Sequence, residues 1–180
     1  MTIWTIGHST RSLEEFLASL RSQEIQVVAD VRKLPGSRRY PHFDQDRLVA
    51  SLHEDGVEYQ HFPHLGGRRK TNPNSRNTIW RHPAFRAYAD YMQTSEFAAA
   101  IEGLTALASE RRTAIMCSEA VWWRCHRSLI ADFLKARGWN VIHIVNEHKT
   151  QEHPFTSAAR LIDGTLSYEP SESDLPSSGV

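Results

Sequence analysis

Short apolar runs alternate along the chain with segments whose apolar residues recur every three or four positions. The apolar runs have the length of β-strands and cover residues 2–6, 26–29, 57–59, 113–116 and 140–145. The segments of helical spacing follow Ser12 and cover residues 44–54, 84–93, 97–109 and 125–137. This alternation predicts an α/β fold, a single Rossmann-like domain with a mainly parallel sheet flanked by helices.

The ends of several predicted helices have matching local signals. Ser12 and Glu15 have the spacing of a capping box, in which each side chain binds the other residue's backbone N–H. Gly56 and Gly138 follow two other helices and suit the left-handed backbone that stops a helix. We predict one domain over residues 1–168, and a disordered acidic Ser/Pro tail over 169–180, which has little apolar surface to offset the entropy of ordering.

The charged residues are balanced over the whole chain but unevenly distributed along it. The whole chain has 21 Lys/Arg and 21 Asp/Glu, but residues 32–86 hold eleven basic and five acidic residues. Such an excess favours an anionic small molecule or a nucleic acid as partner, although charge runs are also common on solvated surface. No apolar run approaches the length of a membrane span, and two cysteines cannot build a disulfide framework. We therefore expect a cytoplasmic protein with reduced thiols and no membrane contact.

Chemically distinctive residues follow the predicted strands at their carboxyl ends. In chain order they are His8; Asp30, Arg32 and Ser37; Gly66 and Gly67; Cys117 and Glu119; and Cys125 with Arg127, which open the next predicted helix. The carboxyl ends of parallel strands meet at one edge of a sheet, and open α/β sheets bind ligands at that edge. The pattern therefore predicts a single site there.

Different roles are predicted for these residues. A thiol at a helix start beside Arg127 loses its proton easily, so Cys125 is predicted to be the more reactive cysteine. Glu119 and Asp30 are candidate acid–base groups, or else structural partners of nearby arginines. The predicted catalytic residues are Glu119, Cys117, Cys125 and Asp30, and the predicted substrate-binding residues are His8, Arg32, Ser37, Gly66, Gly67 and Arg127.

Four functions fit this site, in decreasing order of preference. The first is an enzyme acting on a phosphate-bearing nucleotide or nucleic-acid end, and the second is a thiol protein for redox or transfer chemistry through Cys117 and Cys125. The third is a non-catalytic nucleic-acid-binding module using the loop 61–82, and the fourth is a metal or haem binder. No metal ligands are assigned, because seven residues separate the cysteines, whereas zinc and c-type haem motifs pair them more closely. A metal site formed by Cys117, Cys125 and His126 is the less favoured alternative.

Groups of residues spread over the chain recur together in one known family. They are Thr5 to Thr10; Asp30, Arg32, Pro35 and Ser37; His64 to Gly67; Cys117, Glu119 and Cys125 to Arg127; His143 and Ile144; and His153, Pro154, Ala159 and Arg160. In order and spacing they resemble the bacterial and archaeal domain of unknown function family 488, over roughly Thr2 to Tyr168. The resemblance implies a single α/β domain with a shared polar site and names no reaction.

Overall fold

A computed structural model describes residues 1–171 of the protein and contains a six-stranded main sheet. The strands are β1 (Thr2–Gly7), β2 (Val27–Asp30), β3 (Glu58–His61), β4 (Thr113–Cys117), β5 (Asn140–Asn146) and β6 (Lys149–Glu152). Their order across the sheet is β3-β2-β4-β1-β5-β6, with the first five strands parallel and β6 antiparallel at the edge. The predicted α/β fold with a mainly parallel sheet is confirmed.

Helices cover both faces of this sheet. They are α1 (Leu13–Arg21), α2 (Gln45–Glu54), α3 (Pro83–Tyr91), α4 (Ser95–Glu110) and α5 (Arg127–Ala136). Leu20 of α1 and Leu52 of α2 belong to a buried cluster with Met116, whereas Phe97 of α4 belongs to a second cluster with Ile115. Because successive residues of a strand point to opposite faces, these neighbours on β4 assign α1 and α2 to one face and α4 to the other.

The predicted helix boundaries are present where local chemistry defines them. The Ser12 hydroxyl accepts a hydrogen bond from the Glu15 N–H at 3.1 Å, and the Glu15 carboxylate accepts one from the Ser12 N–H at 2.7 Å. Gly56 and Gly138 have φ values of 75° and 82°, the left-handed backbone that glycine adopts at little steric cost. These signals are short in sequence and need no tertiary contact.

The start of α5 differs from the prediction. A 3₁₀ turn at Trp122–Arg124 precedes the helix, Cys125 has an extended backbone, and α5 begins at Arg127 with His126 as its N-cap. The prediction that Cys125 opens the helix is therefore wrong by two residues. The thiol lies just before the helix rather than in its first turn.

The chain after β5 also differs, because it adds strands that the hydrophobic pattern does not predict. Besides β6 there is a hairpin of β7 (Arg160–Ile162) and β8 (Thr165–Ser167). These strands are short and mostly exposed, so they lack the apolar run of a buried strand. Of the tail predicted over 169–180, positions 172–180 lie outside the described residues. Within residues 1–171 no helix has the length and apolar character needed to cross a membrane.

Candidate functional site

Three adjacent strands bring the distinctive residues to the same edge of the sheet. Gly7 of β1 is paired with Cys117 of β4, and Asp30 of β2 is paired with Met116 of the same strand. The ladder continues beyond the strands, because the His8 N–H donates to the Cys117 carbonyl oxygen at 3.0 Å. The segments that follow β1, β2 and β4 therefore emerge side by side.

A cleft of about 940 Å³ lies over this edge, within the size range of small-molecule sites. Of the ten predicted site residues, seven line it, namely His8, Arg32, Ser37, Gly67, Cys117, Glu119 and Cys125. The other three, Asp30, Gly66 and Arg127, are buried behind its wall. The convergence predicted from strand ends thus yields one cleft with a supporting layer behind it.

The lining of the cleft is cationic and partly aromatic. Its Lys and Arg residues are Arg32, Lys33, Arg68 and Arg124, and Glu119 is the carboxylate among the lining residues. The aromatic residues include Tyr40, Phe85 and Trp123, whose side chain is 55% exposed. Ser9 and Arg68 also line the cleft with left-handed φ values of 48° and 60°, a backbone strain that concentrates at functional sites.

Two reduced cysteines form the floor of the cleft. Cys117 and Cys125 are almost fully buried, and both are free thiols. A side-chain hydrogen bond from Cys117 lowers the pKa of Cys125 to about 6, although burial opposes this, and the charge and N–H groups of Arg127 lower it further. The same hydrogen bond, with burial, raises the pKa of Cys117. Of the two thiols, Cys125 is therefore the one that ionises more readily, and Cys117 is the one that keeps its proton.

Arg127 lies behind the wall of the cleft and favours ionisation of Cys125. Its guanidinium, 1% exposed, donates to the Thr5 hydroxyl at 3.2 Å and to the backbone carbonyl oxygens of Glu119 and Ala120. The sequence left open whether Arg127 binds a ligand or forms an ion pair with the Glu119 carboxylate. In the structure the Arg127 guanidinium instead donates to the main-chain carbonyl oxygen of Glu119. The Glu119 carboxylate is exposed in the cleft. Arg127 thus holds the loop after β4 in place.

A second buried arginine is held by Asp30. The Asp30 carboxylate accepts bidentate hydrogen bonds from Arg32 at 2.7–3.0 Å and another from the Tyr59 hydroxyl at 2.8 Å. Arg32 also donates to the Phe43 carbonyl oxygen at 2.8 Å. Asp30 has no exposed surface, so it orients the Arg32 guanidinium at the cleft wall rather than meeting a ligand itself.

His8 is a neutral member of the cleft wall. Burial, followed by the charge of Arg32, lowers its pKa to about 4. Its ring stacks on Phe43 at 4.3 Å, and its Nδ1 lies 3.1 Å from the Ser9 carbonyl oxygen. With the proton on Nδ1, Nε2 can accept from Arg32 at 3.4 Å or from a ligand.

Close backbone packing explains the two predicted glycines. A Cβ on Gly66 would lie 2.8–2.9 Å from Lys33, and a Cβ on Gly67 would lie 3.1 Å from Nδ1 of His126. Each glycine therefore lets one strand-end loop approach another.

Ser37, another residue that lines the cleft, forms a local hydrogen bond in which its hydroxyl accepts from the Tyr40 N–H at 3.1 Å.

A chain of buried hydrogen bonds extends from Arg127 to the carboxyl-terminal segment. Thr5 Oγ1 lies 2.7 Å from His143 Nδ1, His143 Nε2 lies 2.9 Å from His153 Nδ1, and His153 Nε2 lies 2.9 Å from the Asp132 carboxylate. Burial keeps the pKa of His143 well below its ordinary value, so its ring is neutral. Because the Asp132 carboxylate only accepts, His153 donates to it through Nε2, whereas the direction of the two other hydrogen bonds is set by the proton positions on the rings.

Several residues that line the cleft are missing from the set predicted from sequence. Lys33, Arg68 and His82 line the cleft and belong to the basic segment 32–86, so the local charge excess was the signal for them. Arg124 and His126 flank Cys125 along the chain and line the same cleft. Their participation depends on how the turn before α5 is built, which no spacing rule describes.

The fold and the cleft define an α/β protein with a thiol-containing site at the carboxyl edge of a mainly parallel sheet. A model of the family described as Domain of unknown function DUF488 matches residues 12–134, about two thirds of the chain. The chain belongs to this family, as the resemblance in its sequence indicated. Searches of curated proteins and of solved structures find no significant match.

Proposed function

We propose that the protein is an enzyme that acts on a phosphate-bearing nucleotide or nucleic-acid end, with Cys125 as its nucleophile. One observation carries this proposal: the Cys125 sulfur, within 4.8 Å of the Cys117 sulfur, lines a cleft that is also lined by cationic side chains. A thiolate is the reactive form of cysteine, and clustered cations attract phosphate groups. Nucleophile and anion site therefore share one cavity.

The cleft lining suggests how such a substrate binds. Lys33, Arg68 and Arg124 offer charge-assisted hydrogen bonds to phosphate oxygens. Arg32, fixed by Asp30, presents a guanidinium of defined orientation. Trp123 offers an exposed ring face on which a base can stack. A mononucleotide, or the terminal nucleotide of a strand, has the matching combination of anionic and aromatic groups.

The proposed reaction is a displacement at phosphorus. The Cys125 sulfur forms a bond to phosphorus, the bond from phosphorus to the leaving oxygen breaks, and the leaving oxygen keeps the electron pair and takes a proton from a water molecule, which becomes hydroxide. A second water then displaces the sulfur and frees the thiolate, and its proton passes through the Glu119 carboxylate to that hydroxide. The net reaction is hydrolysis of a phosphate ester, and the buried Arg127 stabilises the thiolate before attack and on departure.

The Cys117 thiol favours a second candidate, thiol–disulfide exchange. The Cys125 thiolate would attack a substrate disulfide and release one thiolate, and deprotonated Cys117 would then attack the Cys125 sulfur and release the second. The products are a Cys117–Cys125 disulfide and two substrate thiols, so the substrate is reduced and the pair oxidised. Incubation with a small disulfide, followed by mass spectrometry, separates this candidate from hydrolysis.

The catalytic claim is tested with nucleotides and oligonucleotides that carry terminal phosphates. Phosphate release is expected from the wild type and is expected to be lost in Cys125→Ser, whose hydroxyl has no comparable ionised form near neutral pH. Equal release by both proteins would contradict the proposal. Tight binding without turnover of any substrate would instead identify a non-catalytic nucleic-acid-binding module.

Substrate binding itself yields a charge prediction. The double variant Arg68→Ala/Arg124→Ala is expected to bind a 5′-phosphorylated oligonucleotide at least about tenfold more weakly, because two charge-assisted contacts to phosphate are lost. Its affinity should also depend less steeply on salt concentration, since fewer cations meet the phosphates. Fluorescence anisotropy over a salt series measures both quantities.

The matched control for this experiment is Arg47→Ala, which removes an exposed arginine of α2 outside the cleft. The control should bind as the wild type does. A double variant with unchanged affinity and salt dependence, or a control that is weakened equally, would show that the cleft cations are not the binding site.

A further inference from the structure

Three side chains on the floor of the cleft are ligands for soft metal ions. The Cys117 and Cys125 sulfurs and one ring nitrogen of His126 all lie within 4.8 Å of one another. The Cys125 sulfur and His126 Nδ1 are 3.7 Å apart. Two thiolates and an imidazole are a donor set that selects Zn²⁺ over hard cations such as Mg²⁺.

The spacing of these atoms agrees with a tetrahedral centre. With Zn–S near 2.3 Å and Zn–N near 2.05 Å, tetrahedral angles place sulfur and nitrogen about 3.6 Å apart and two sulfurs about 3.8 Å apart. The separation of 3.7 Å between Cys125 and His126 matches the first value. The remaining sulfur–sulfur and sulfur–nitrogen separations are at most 4.8 Å, so each exceeds its tetrahedral value by no more than about 1.2 Å.

The surroundings leave room for an ion and for a fourth ligand. All three side chains line the cleft, so a metal held by them has its remaining position toward the cavity. Gly67 contributes to this space, because a Cβ there would lie 3.1 Å from His126 Nδ1. Structural zinc sites use four protein ligands, whereas sites with three protein ligands keep a position for water or substrate.

We propose that Cys117, Cys125 and His126 form a binding site for a thiophilic divalent cation, Zn²⁺ in the first place, with its fourth position open to the cleft. The ion would be bound by the Cys125 sulfur, which is the nucleophile of the proposed function. Metal binding therefore switches off the Cys125 thiol chemistry. That regulatory consequence rests on the proposed function, but the site itself does not, because metal binding is measured without turnover.

Cobalt titration of reduced, chelator-treated protein tests the site. Co²⁺ should bind at one equivalent, with thiolate-to-cobalt charge-transfer absorption and the strong visible bands of tetrahedral coordination, and Zn²⁺ should displace it. Cys117→Ser and His126→Ala are each expected to weaken binding at least about a hundredfold, since loss of even an outer-shell partner costs 10- to 100-fold. His82→Ala, in the same cleft but outside the triad, should bind as the wild type does.

The Cys117→Ser variant separates this proposal from the proposed function. Serine keeps an O–H donor toward Cys125 but removes a sulfur ligand, so the variant should lose the metal, while the alkylation midpoint of Cys125 should lie between those of the wild type and Cys117→Ala. Absence of charge-transfer absorption in the wild type, or equal affinity in Cys117→Ser, overturns the metal site and leaves the nucleophile untouched. An inert Cys125 in metal-free protein overturns the nucleophile and leaves the metal site standing. Thermal melting checks that each variant is folded.

Discussion

Gly7→Ala is expected to destabilise the protein by about 3 kcal/mol or more, with a melting temperature lower by roughly 6–12 °C. A Cβ on Gly7 would lie 1.8 Å from the Glu119 carbonyl oxygen and 2.9 Å from the Ala120 Cα. Both obstacles are backbone, so the loop after β4 must move as a whole. Arg127 donates to the same Glu119 carbonyl oxygen, and the displacement therefore also loosens the arginine that supports Cys125.

The same substitution in another place provides the control. Gly103 lies within α4, where a new Cβ would meet only the Phe62 ring at 3.8 Å. Gly103→Ala should stabilise the protein by about 0.5–1 kcal/mol, because alanine loses less backbone entropy on folding. Thermal melting of both variants measures the contrast. A Gly7→Ala protein as stable as the wild type would show that β1 and the loop do not touch as described.

Asp132→Ala is the second substitution with a large expected effect, a loss of about 3–5 kcal/mol of stability. The Asp132 carboxylate is completely buried and accepts from His153, from the Thr156 backbone and hydroxyl, and from the Tyr168 hydroxyl at 2.9 Å. Alanine would leave the buried donors of His153 and Tyr168, and the half-buried donors of Thr156, without this acceptor. The carboxyl-terminal segment that provides them would then lose its attachment to α5.

Chemical denaturation distinguishes this effect from a general sensitivity to mutation. Tyr168→Phe removes one donor and keeps the carboxylate, so its cost should be smaller, on the order of 1.5–3 kcal/mol. Asp46→Ala, at an exposed position of α2, should cost no more than about 1 kcal/mol. If Asp132→Ala were as mild as Asp46→Ala, the buried network would not anchor the segment.

The main sheet, and the edge of it at which the candidate site lies, could be predicted because they depend on local patterns. A run such as 113–116 indicates a buried strand, and a capping box at Ser12 indicates a helix start, without knowledge of distant residues. The rule that parallel strands share a carboxyl edge then brings Cys117 and His8 together.

What the sequence could not predict depends on long-range packing. Whether Arg127 faces a ligand or a backbone carbonyl is decided by how the turn at Trp122–Arg124 is folded. The pairing of His143 with His153 requires β6, whose exposed polar residues have no strand-like apolar pattern. The approach of Cys117 to Cys125 is one of the alternatives that the sequence left open, because their spacing matches no metal or redox motif that would have decided it.

The ionisation of Cys125 is the property on which both thiol functions depend. Hydrogen bonding by Cys117 favours the charged sulfur, so Cys117→Ala should raise the pKa of Cys125 by roughly one to two units. Cys117→Ser retains a hydrogen-bond donor in its hydroxyl and should therefore raise the pKa of Cys125 by less. A lower pKa means that the thiolate persists to lower pH. As the pH is lowered, the alkylation rate of the wild type should therefore remain high into the acidic range, whereas the rate of the alanine variant should fall at a higher pH.

The most direct measurement is the rate of iodoacetamide alkylation of Cys125 in reduced, metal-free protein between pH 4 and 10, with the modified residue assigned by peptide mass spectrometry. A rate that rises with a midpoint near pH 6, and a higher midpoint in Cys117→Ala, is the result that a cysteine-pair thiolate predicts. A midpoint at the ordinary thiol value of 9.0, unchanged by Cys117→Ala, would contradict the account.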